Sequence, residues 1–211
     1  MTPKKMNCIS ITSHGEPEVL KLTKREIPSI NSQEILIKVI AAGVNRPDVM
    51  QRKGQYNPPK GASDLPGLEI SGIIVEKGKN VSNFKIGDKV CALTHGGGYA
   101  DYCKSHNKHT LPLPKNFTHE EGASIPETFF TVWVNIFDRG KLKKNETILI
   151  HGGSSGIGVA AIQMAKSIGA KVYITAGSKK KCIACKDLGA DAIINYKKEN
   201  FRDKILNLTN G

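Results

Sequence analysis

The sequence predicts an α/β protein in two parts: a barrel-like β domain over residues 1–122, then an incomplete, doubly wound parallel sheet over residues 123–211. The first part contains many short apolar runs separated by turn signals, a pattern typical of a β barrel. In the second part strand-like and helix-like runs alternate, as they do when helices cover a parallel sheet. A glycine-rich turn at residues 151–158 joins one such strand to one such helix.

In the first part, strands are predicted at residues 6–11, 18–22, Glu34–Ala42, Glu69–Lys77, Phe84–Leu93 and Tyr99–Cys103. A short helix is predicted from Arg46 to Lys53, with Asn45 as its cap and Pro47 in its first turn, where a missing N–H costs little. The run Leu111–Pro114 is expected to lead out of this domain.

At the end of the first part, the pattern Thr118–Glu121 is a capping box that opens a helix. A longer apolar helix is expected from Pro126 through Phe137. Strands are predicted at residues 148–150, Lys171–Thr175 and Ala192–Ile194, and helices after the glycine turn, around Lys180–Leu188 and near Glu199–Leu208.

The glycine-rich turn carries the clearest chemical signal. An apolar run ends at His151, and Gly153, Gly156 and Gly158 lead into an Ala/Ile/Met-rich helical pattern. Glycines let the backbone turn tightly and approach a pyrophosphate, and the helix N-terminus offers unpaired N–H groups to the phosphates. The spacing is a variant of the usual fingerprint. On the motif alone, an ordinary strand-to-helix turn is the alternative.

The formal net charge of +12 raises the question of nucleic acid. The lysines are spread over turns and helix faces, and no basic motif interleaved with aromatic residues is present. We therefore expect no nucleic-acid partner; positive charge also suits an anionic cofactor.

The five cysteines are scattered and odd in number, which argues against a disulfide framework. Cys182 and Cys185 are three apart in a helical pattern, and packing is favoured over a redox role. No apolar stretch reaches about 18 residues, and no secretory signal pattern is seen. We expect a cytoplasmic protein without a membrane segment.

Several longer motifs carry a family resemblance. They are Ala42–Asp48, Gln51–Tyr56, Pro66–Gly72, Phe84–Val90, Gly96–Ala100, Ala123–Glu127, the glycine turn, and Asn195–Phe201. Over essentially the whole chain, they resemble the zinc-independent quinone oxidoreductases of the medium-chain dehydrogenase/reductase superfamily. Residues 51–63 and 175–181 look most similar to the p53-inducible quinone oxidoreductase branch.

The resemblance implies a GroES-like, partly open β-barrel domain followed by a Rossmann domain, with the active site in the cleft between them. It also implies a second Rossmann half and a return to the first domain. We therefore expect this chain to be C-terminally incomplete and poorly soluble or inactive alone, and the full-length form to be a homodimer.

Short-chain dehydrogenases are the rival family, because residues 151–158 also fit their glycine motif. Those enzymes carry Tyr-x-x-x-Lys on a later helix. The one such pattern here, Tyr56–Lys60, lies upstream in a Pro-Pro loop that cannot be helical. The position of this pattern before the glycine motif, and its non-helical conformation, disfavour membership of this family.

Zinc-dependent relatives would need a thiolate and an imidazole at two of these motifs. Asn45 stands near the expected cysteine, and Leu68 occupies the slot of the histidine. The six histidines show no pairing with cysteines at ligand spacing. We predict a metal-free protein.

The cofactor is predicted to be NADPH. An NAD site usually has an acid roughly 20 residues past the glycines, but residues 175–181 contain none. Ser178 and the following lysines suit a 2′-phosphate, with a solvated charge run as the alternative. The resemblance adds Tyr196 at the adenosine phosphate, and Thr131 and Met50 on the nicotinamide side. The predicted cofactor-binding residues are Met50, Thr131, Gly153, Ser154, Ser155, Gly156, Ile157, Gly158, Gly177, Ser178, Lys181 and Tyr196.

The resemblance implies hydride transfer from NADPH to a small-molecule quinone or enone, in which donors must stabilise the developing oxyanion. Asn45 and Tyr56 are the candidate donors. Asp48 is a third catalytic candidate, and a capping role is its alternative. None is a convincing proton donor, so water can protonate the product. A non-catalytic NADPH-binding or structural protein, or an inactive truncated form, is the competing hypothesis.

Overall fold

The computed structural model describes residues 3–211, and the chain divides into two compact units, Met1–Glu127 and Thr128–Gly211. The division falls after Glu127, whereas the sequence placed the domain boundary after Gly122. The boundary between functional domains therefore stays a prediction.

The first unit is built from antiparallel strands. They are β1 Lys5–Ile11, β2 Leu20–Glu26, β3 Glu34–Ala42, β4 Glu69–Lys77, β5 Lys89–Leu93, β6 Tyr102–His106 and β7 Thr110–Pro112. Five form a curled sheet in the order β6-β3-β4-β5-β7, while β1 and β2 pair with each other. Helices α1 (Arg46–Arg52) and α2 (His119–Gly122) complete this unit, with 3₁₀ turns at Pro17–Val19 and Asn107–His109. The predicted barrel-like domain is confirmed.

The core of the first unit is built around its two central strands, β3 and β4. Ile35 and Ile37 in β3, and Ile70 and Ile74 in β4, are fully buried. They pack with Val90 of β5 and neighbouring side chains in one hydrophobic cluster. Branched aliphatic side chains suit these pleated, paired strands because they pack well against cross-strand neighbours.

Four strands of this unit differ from the sequence prediction. The strand predicted at residues 18–22 lies at Leu20–Glu26, because a 3₁₀ turn occupies Pro17–Val19. The strand predicted over Phe84–Leu93 begins only at Lys89, because Lys85 and Asp88 close a turn: the Lys85 N–H donates to Asp88 Oδ2 at 2.9 Å. The strand predicted at Tyr99–Cys103 lies at Tyr102–His106. The predicted exit run contains the short strand β7, which pairs with β5. Its proline is tolerated because β7 is an edge strand.

The second unit is the first half of a doubly wound sheet. Strands β8 (Thr147–Ile150), β9 (Lys171–Ala176) and β10 (Ala192–Asn195) are parallel, in the order β10-β9-β8. Its helices are α3 (Pro126–Val132), α4 (Gly156–Ser167), α5 (Lys179–Asp187) and α6 (Phe201–Thr209). Buried Val172 and Ile174 of β9 pack with Ile162 and Ala165 of α4. The alternating pattern of the sequence is confirmed.

The helix predicted from Pro126 through Phe137 is not a single regular helix. Regular α geometry ends at Val132, and a π-helical segment, Trp133–Arg139, follows. Such segments use wider i→i+5 bonding, which an apolar pattern with a 3.6-residue period cannot reveal. Across residues 3–211, the helices are too short or too polar for any of them to cross a membrane.

Candidate active site

The glycine turn between β8 and α4 is built by short-range bonds. Ser155 caps α4, and its Oγ accepts the Gly158 N–H at 3.0 Å. Gly152 has φ +67°, a conformation that favours glycine. A side chain at Gly158 would collide with the backbone of Gly152 and Gly153, so the residue lets the helix pack closely on the turn.

This turn leaves hydrogen-bond donors open. Among the hydrogen bonds of residues 3–211, the N–H groups of Gly156 and Ile157 find no acceptor, and both residues are exposed. Ser154 and Ser155 stand beside them. Open N–H groups at the positive end of a helix dipole suit a phosphate, so the predicted residues Gly153 to Ile157 fit a pyrophosphate.

Thr175, which the sequence reasoning missed, holds this turn from the neighbouring strand. Its Oγ1 accepts the Gly152 N–H at 3.3 Å and lies 3.1 Å from His151 Nδ1, while its carbonyl accepts the Gly153 N–H at 3.0 Å. Thr175 is buried at 2% exposure. The sequence signal that could have revealed Thr175 is a polar residue near the end of an otherwise apolar strand.

The end of β9 brings four predicted residues together. Ser178 caps α5, and its Oγ accepts the Lys181 N–H at 3.3 Å. The ring of Tyr196, just after β10, lies against Gly177, where a side chain would collide with the phenol. Lys181 and Tyr196 are exposed. The end of this parallel sheet therefore presents a hydroxyl, an ammonium and a phenol at one edge.

The two residues predicted for the nicotinamide side belong to different units. Met50 is half-buried in α1. Thr131 lies in α3, where its carbonyl accepts the Asn135 side-chain N–H at 2.8 Å. Their roles stay predictions.

In the first unit, Asp48 is buried inside a hydrogen-bond network. Its Oδ2 accepts the Asn45 N–H at 2.8 Å and the Tyr99 hydroxyl at 3.0 Å, and its Oδ1 accepts the Gly67 N–H at 3.0 Å. Burial, followed by the Asp48 carboxylate, raises the pKa of Tyr99. These contacts favour the capping alternative for Asp48, and its catalytic role stays a prediction.

Glu69 is a buried carboxylate that the sequence reasoning did not single out, although it lies within the motif Pro66–Gly72. Its Oε1 accepts the Asn45 side-chain N–H at 2.8 Å, and its Oε2 accepts the Glu127 backbone N–H at 2.9 Å. Burial raises the pKa of Glu69 against the opposing effect of these bonds. The contact fixes the amide of Asn45 and leaves its second N–H for other acceptors.

Tyr56 opens onto a cavity of about 190 Å³ in the same unit. The walls include Leu68 and Leu93, with Gln51, His95 and Glu127 as polar members. Burial, then the nearby Glu69 and Asp48 carboxylates, raises the pKa of Glu127. Asn45 is not among the lining residues, so the structure brings Tyr56, but not Asn45, to this cavity.

Thiols and metal ligands are not gathered in this unit. Burial raises the pKa of the Cys91 thiol to about 11 and that of Cys103 to about 12, so both stay protonated at neutral pH. Within the described part of the chain, residues 3–211, no group of three or more His, Cys, Asp or Glu side chains is arranged to hold a metal ion.

Comparison with known proteins identifies the fold and the family. The family model described as "Alcohol dehydrogenase GroES-like domain" matches residues 31–127, and the one described as "Zinc-binding dehydrogenase" matches residues 156–211. A quinone oxidoreductase of Rattus norvegicus is 38% identical over 96% of this chain. The chain belongs to the quinone oxidoreductase family of the medium-chain dehydrogenase/reductase superfamily. The GroES-like and Rossmann expectations are thereby confirmed.

Solved structures agree with this family. A quinone oxidoreductase of Pseudomonas syringae pv. Tomato DC3000 is 30% identical, with a TM-score of 0.86 over 98% of this chain and 63% of that one. An NAD-dependent alcohol dehydrogenase is 31% identical, with a TM-score of 0.85 over 98% of this chain and 68% of that one. The chain spans 62% of the length of the Rattus norvegicus relative.

Proposed function

We propose that this protein is an NADPH-dependent reductase that transfers a hydride to quinones or conjugated carbonyls without zinc. The observation that carries this proposal is the glycine turn, whose open Gly156 and Ile157 N–H groups stand at the start of α4. The quinone oxidoreductases among the relatives support the choice of substrate class.

The choice of NADPH over NADH depends on the end of β9. Ser178 and the lysines that follow it offer a hydroxyl and positive charge, and residues 175–181 contain no carboxylate to bind a ribose 2′-hydroxyl. Charge-assisted hydrogen bonds to a 2′-phosphate are stronger than neutral ones. A similar structure is that of an NAD-dependent enzyme. The preference for NADPH over NADH is therefore argued from these residues and not from the family.

In the proposed reaction the bound nicotinamide supplies the hydride. The protein holds the pyrophosphate at the glycine turn and the adenosine end at Ser178, Lys181 and Tyr196. In the first unit, Glu69 fixes Asn45 so that its remaining N–H can donate to the substrate oxygen. The exposed Tyr56 hydroxyl, which borders a cavity that Asn45 does not line, is the alternative donor. Such donors stabilise the negative charge that grows on oxygen during the reaction.

Zinc independence is part of the proposal. Asn45 donates to Glu69, and the neighbouring Leu68 offers no ligand atom. An amide and an aliphatic side chain at these positions do not supply the thiolate and imidazole that a tetrahedral zinc site prefers.

We further propose a cytoplasmic location and, for the whole protein, a homodimer without nucleic-acid partners. All five cysteines are free, which suits a reducing compartment.

Steady-state assays of the whole protein test this function. NADPH oxidation at 340 nm should require a quinone such as menadione or an enone, and should survive dialysis against a chelator. Absence of turnover with every quinone and enone, despite NADPH binding, would instead support the non-catalytic alternative.

A further inference from the structure

We propose that His95 is the acid that protonates the oxygen of the reduced quinone or enone. This inference rests on the proposed function and supplies the proton donor that Asn45, Tyr56 and Asp48 do not provide. It is carried by the position of His95 on a cavity wall and by its contrast with His109, which packs beside it, and with His106, which packs on the far side of His109.

The backbone places His95 firmly at the end of β5. The preceding Thr94 donates its N–H to Leu68 O at 2.7 Å and its hydroxyl to Gly67 O at 3.0 Å. The carbonyl of His95 itself accepts the Ser63 N–H at 3.0 Å. The residue is therefore anchored on both sides, while its side chain remains exposed.

The side chain of His95 borders two adjacent cavities. One, of about 190 Å³, is the cavity that contains Tyr56 and Glu127. The other, of about 240 Å³, is lined by Lys60, Lys104 and His106. Leu93, Thr94 and Ser63 belong to both walls. An acceptor held by the Tyr56 hydroxyl would share its cavity with the imidazole, and the second cavity gives that imidazole access to solvent protons.

Three histidine rings form a row beside these cavities. The ring centroids of His95 and His109, and those of His106 and His109, are each 5.5 Å apart. Within residues 3–211, the buried Nδ1 of His109 has no hydrogen-bond partner. Burial, then His95 and His106, lowers the pKa of His109. These effects disfavour the charged form of this middle ring.

Both ring nitrogens of the outer ring, His106, have hydrogen-bond partners. Its Nδ1 accepts the Lys108 N–H at 3.1 Å, and its Nε2 lies 3.1 Å from Gln33 Oε1. His95 is the exposed ring of the row, and it borders both cavities. Its imidazole is thus the one in the row that is placed to meet a bound acceptor.

Charged groups of both signs lie around His95. Lys60 and Lys104 face it from the second cavity, where Lys104 pairs with Glu34 at 3.4 Å. Glu127 and the Tyr56 phenol face it from the first cavity. Histidine is the side chain that most often serves as a general acid or base, and groups of both charge signs face His95 here.

The proton and electron balance is complete with the proposed cofactor. Hydride from the reduced nicotinamide brings two electrons to the conjugated acceptor, which becomes an oxyanion. An imidazolium N–H bond of His95 then breaks as an O–H bond forms on that oxygen. The neutral imidazole takes its next proton from water, so the sum is acceptor plus NADPH plus H⁺ giving the reduced product plus NADP⁺.

The first test is a measurement of binding that needs no turnover. Histidine ring resonances of the 211-residue chain are followed by NMR during titration with menadione, and His95 is assigned with the variant His95→Asn. We expect the His95 resonances to shift, while those of His14, an exposed histidine outside both cavities, stay fixed. A quinone that leaves the His95 resonances unmoved overturns the proposal.

The second test compares His95→Asn and His95→Gln with His14→Asn in the whole protein. General acids contribute on the order of 10²- to 10⁴-fold, and we expect kcat to fall on the order of 10²-fold with little change in quinone KM or NADPH affinity. The pH profile of kcat should differ between the wild type and these two variants, and it should be the same for the wild type and His14→Asn.

The two possible failures are distinguishable. Variants with wild-type kcat and an unchanged pH profile, in a protein that turns over, overturn the role of His95 alone. A wild-type protein that oxidises NADPH with no quinone or enone contradicts the proposed function itself, and the proton donor with it.

Discussion

Asp48 is a single residue on which three segments depend. Its carboxylate accepts hydrogen bonds from Asn45, Gly67 and Tyr99. Asp48→Asn replaces one acceptor oxygen with a donor, so at least one buried partner loses its bond. We expect a loss of about 1–3 kcal/mol in the free energy of unfolding, measured by urea denaturation. The exposed Asp187→Asn is the control, and equal stabilities would show that the network is dispensable.

Glu127 should make stability depend on pH. Its folded pKa is raised above the ordinary value of 4.5, so above pH 4.5 the folded state binds more protons than the unfolded state. Stability therefore falls as pH rises from 4.5 through the raised folded pKa. Glu127→Gln removes this fall. We expect its advantage over wild type in urea denaturation to be larger near neutral pH than at about pH 4.

The control for Glu127 is Glu76→Gln, at an exposed position in β4. It should leave the pH dependence of stability as in wild type. A stability difference between Glu127→Gln and wild type that is constant across pH would refute the assignment.

Lys181 should govern nucleotide choice. Replacing it with Gln removes a cation beside Ser178, and we expect NADPH affinity to fall about threefold to tenfold, as loss of one exposed charge-assisted contact allows. NADH affinity should change little. The matched control is Lys186→Gln, at the other end of the same helix. Equal losses of affinity for NADPH and NADH would indicate that these lysines are a solvated charge run that does not select the nucleotide.

Among single residues, sequence reasoning singled out members of local motifs and missed partners that are distant in sequence. Asn45 was recognised from its own motif. Its partner Glu69 is 24 positions away, and only the pairing of the strands brings the two together. The same holds for Thr175, which lies 23 positions from Gly152.

At the scale of the elements, the β8–α4 turn depends on β9. Thr175→Val is nearly isosteric but leaves the Gly152 N–H without its side-chain acceptor. We expect destabilisation of about 1–3 kcal/mol and a weaker affinity for NADPH, measured by fluorescence titration. Thr175→Ser keeps the hydroxyl and should retain most of both. Equal stability and equal NADPH affinity of the Val and Ser variants would show that the Thr175 hydroxyl does not support the turn.

The helices and strands were predicted correctly where the sequence signal is local. The glycine turn, with its cap Ser155, and the strands with branched aliphatic alternation lie where the sequence predicts them. The segment around Tyr99 was mispredicted because its backbone is used by other partners. Tyr99 N–H donates to Pro66 O at 3.0 Å, and Tyr99 O accepts the Ile9 N–H at 2.8 Å. These long-range bonds leave β6 to begin at Tyr102.

In the whole molecule, the residues proposed for the substrate and those proposed for the cofactor phosphates lie in two different compact units. The unit ending at Glu127 contains Tyr56, Asn45 and His95, and the unit beginning at Thr128 contains the glycine turn. The family resemblance predicted both domains because its motifs run through both. It could not place the histidine row, which depends on three rings meeting after the sheet curls.

Fluorescence titration of the 211-residue chain with NADPH and with NADH tests the central claim most directly. This measurement requires only the glycine turn and the Ser178–Lys181 edge. We predict saturable binding of NADPH, tighter than that of NADH, and weakened by salt because the contacts are charged. Failure to bind NADPH, or tighter binding of NADH, would contradict the account.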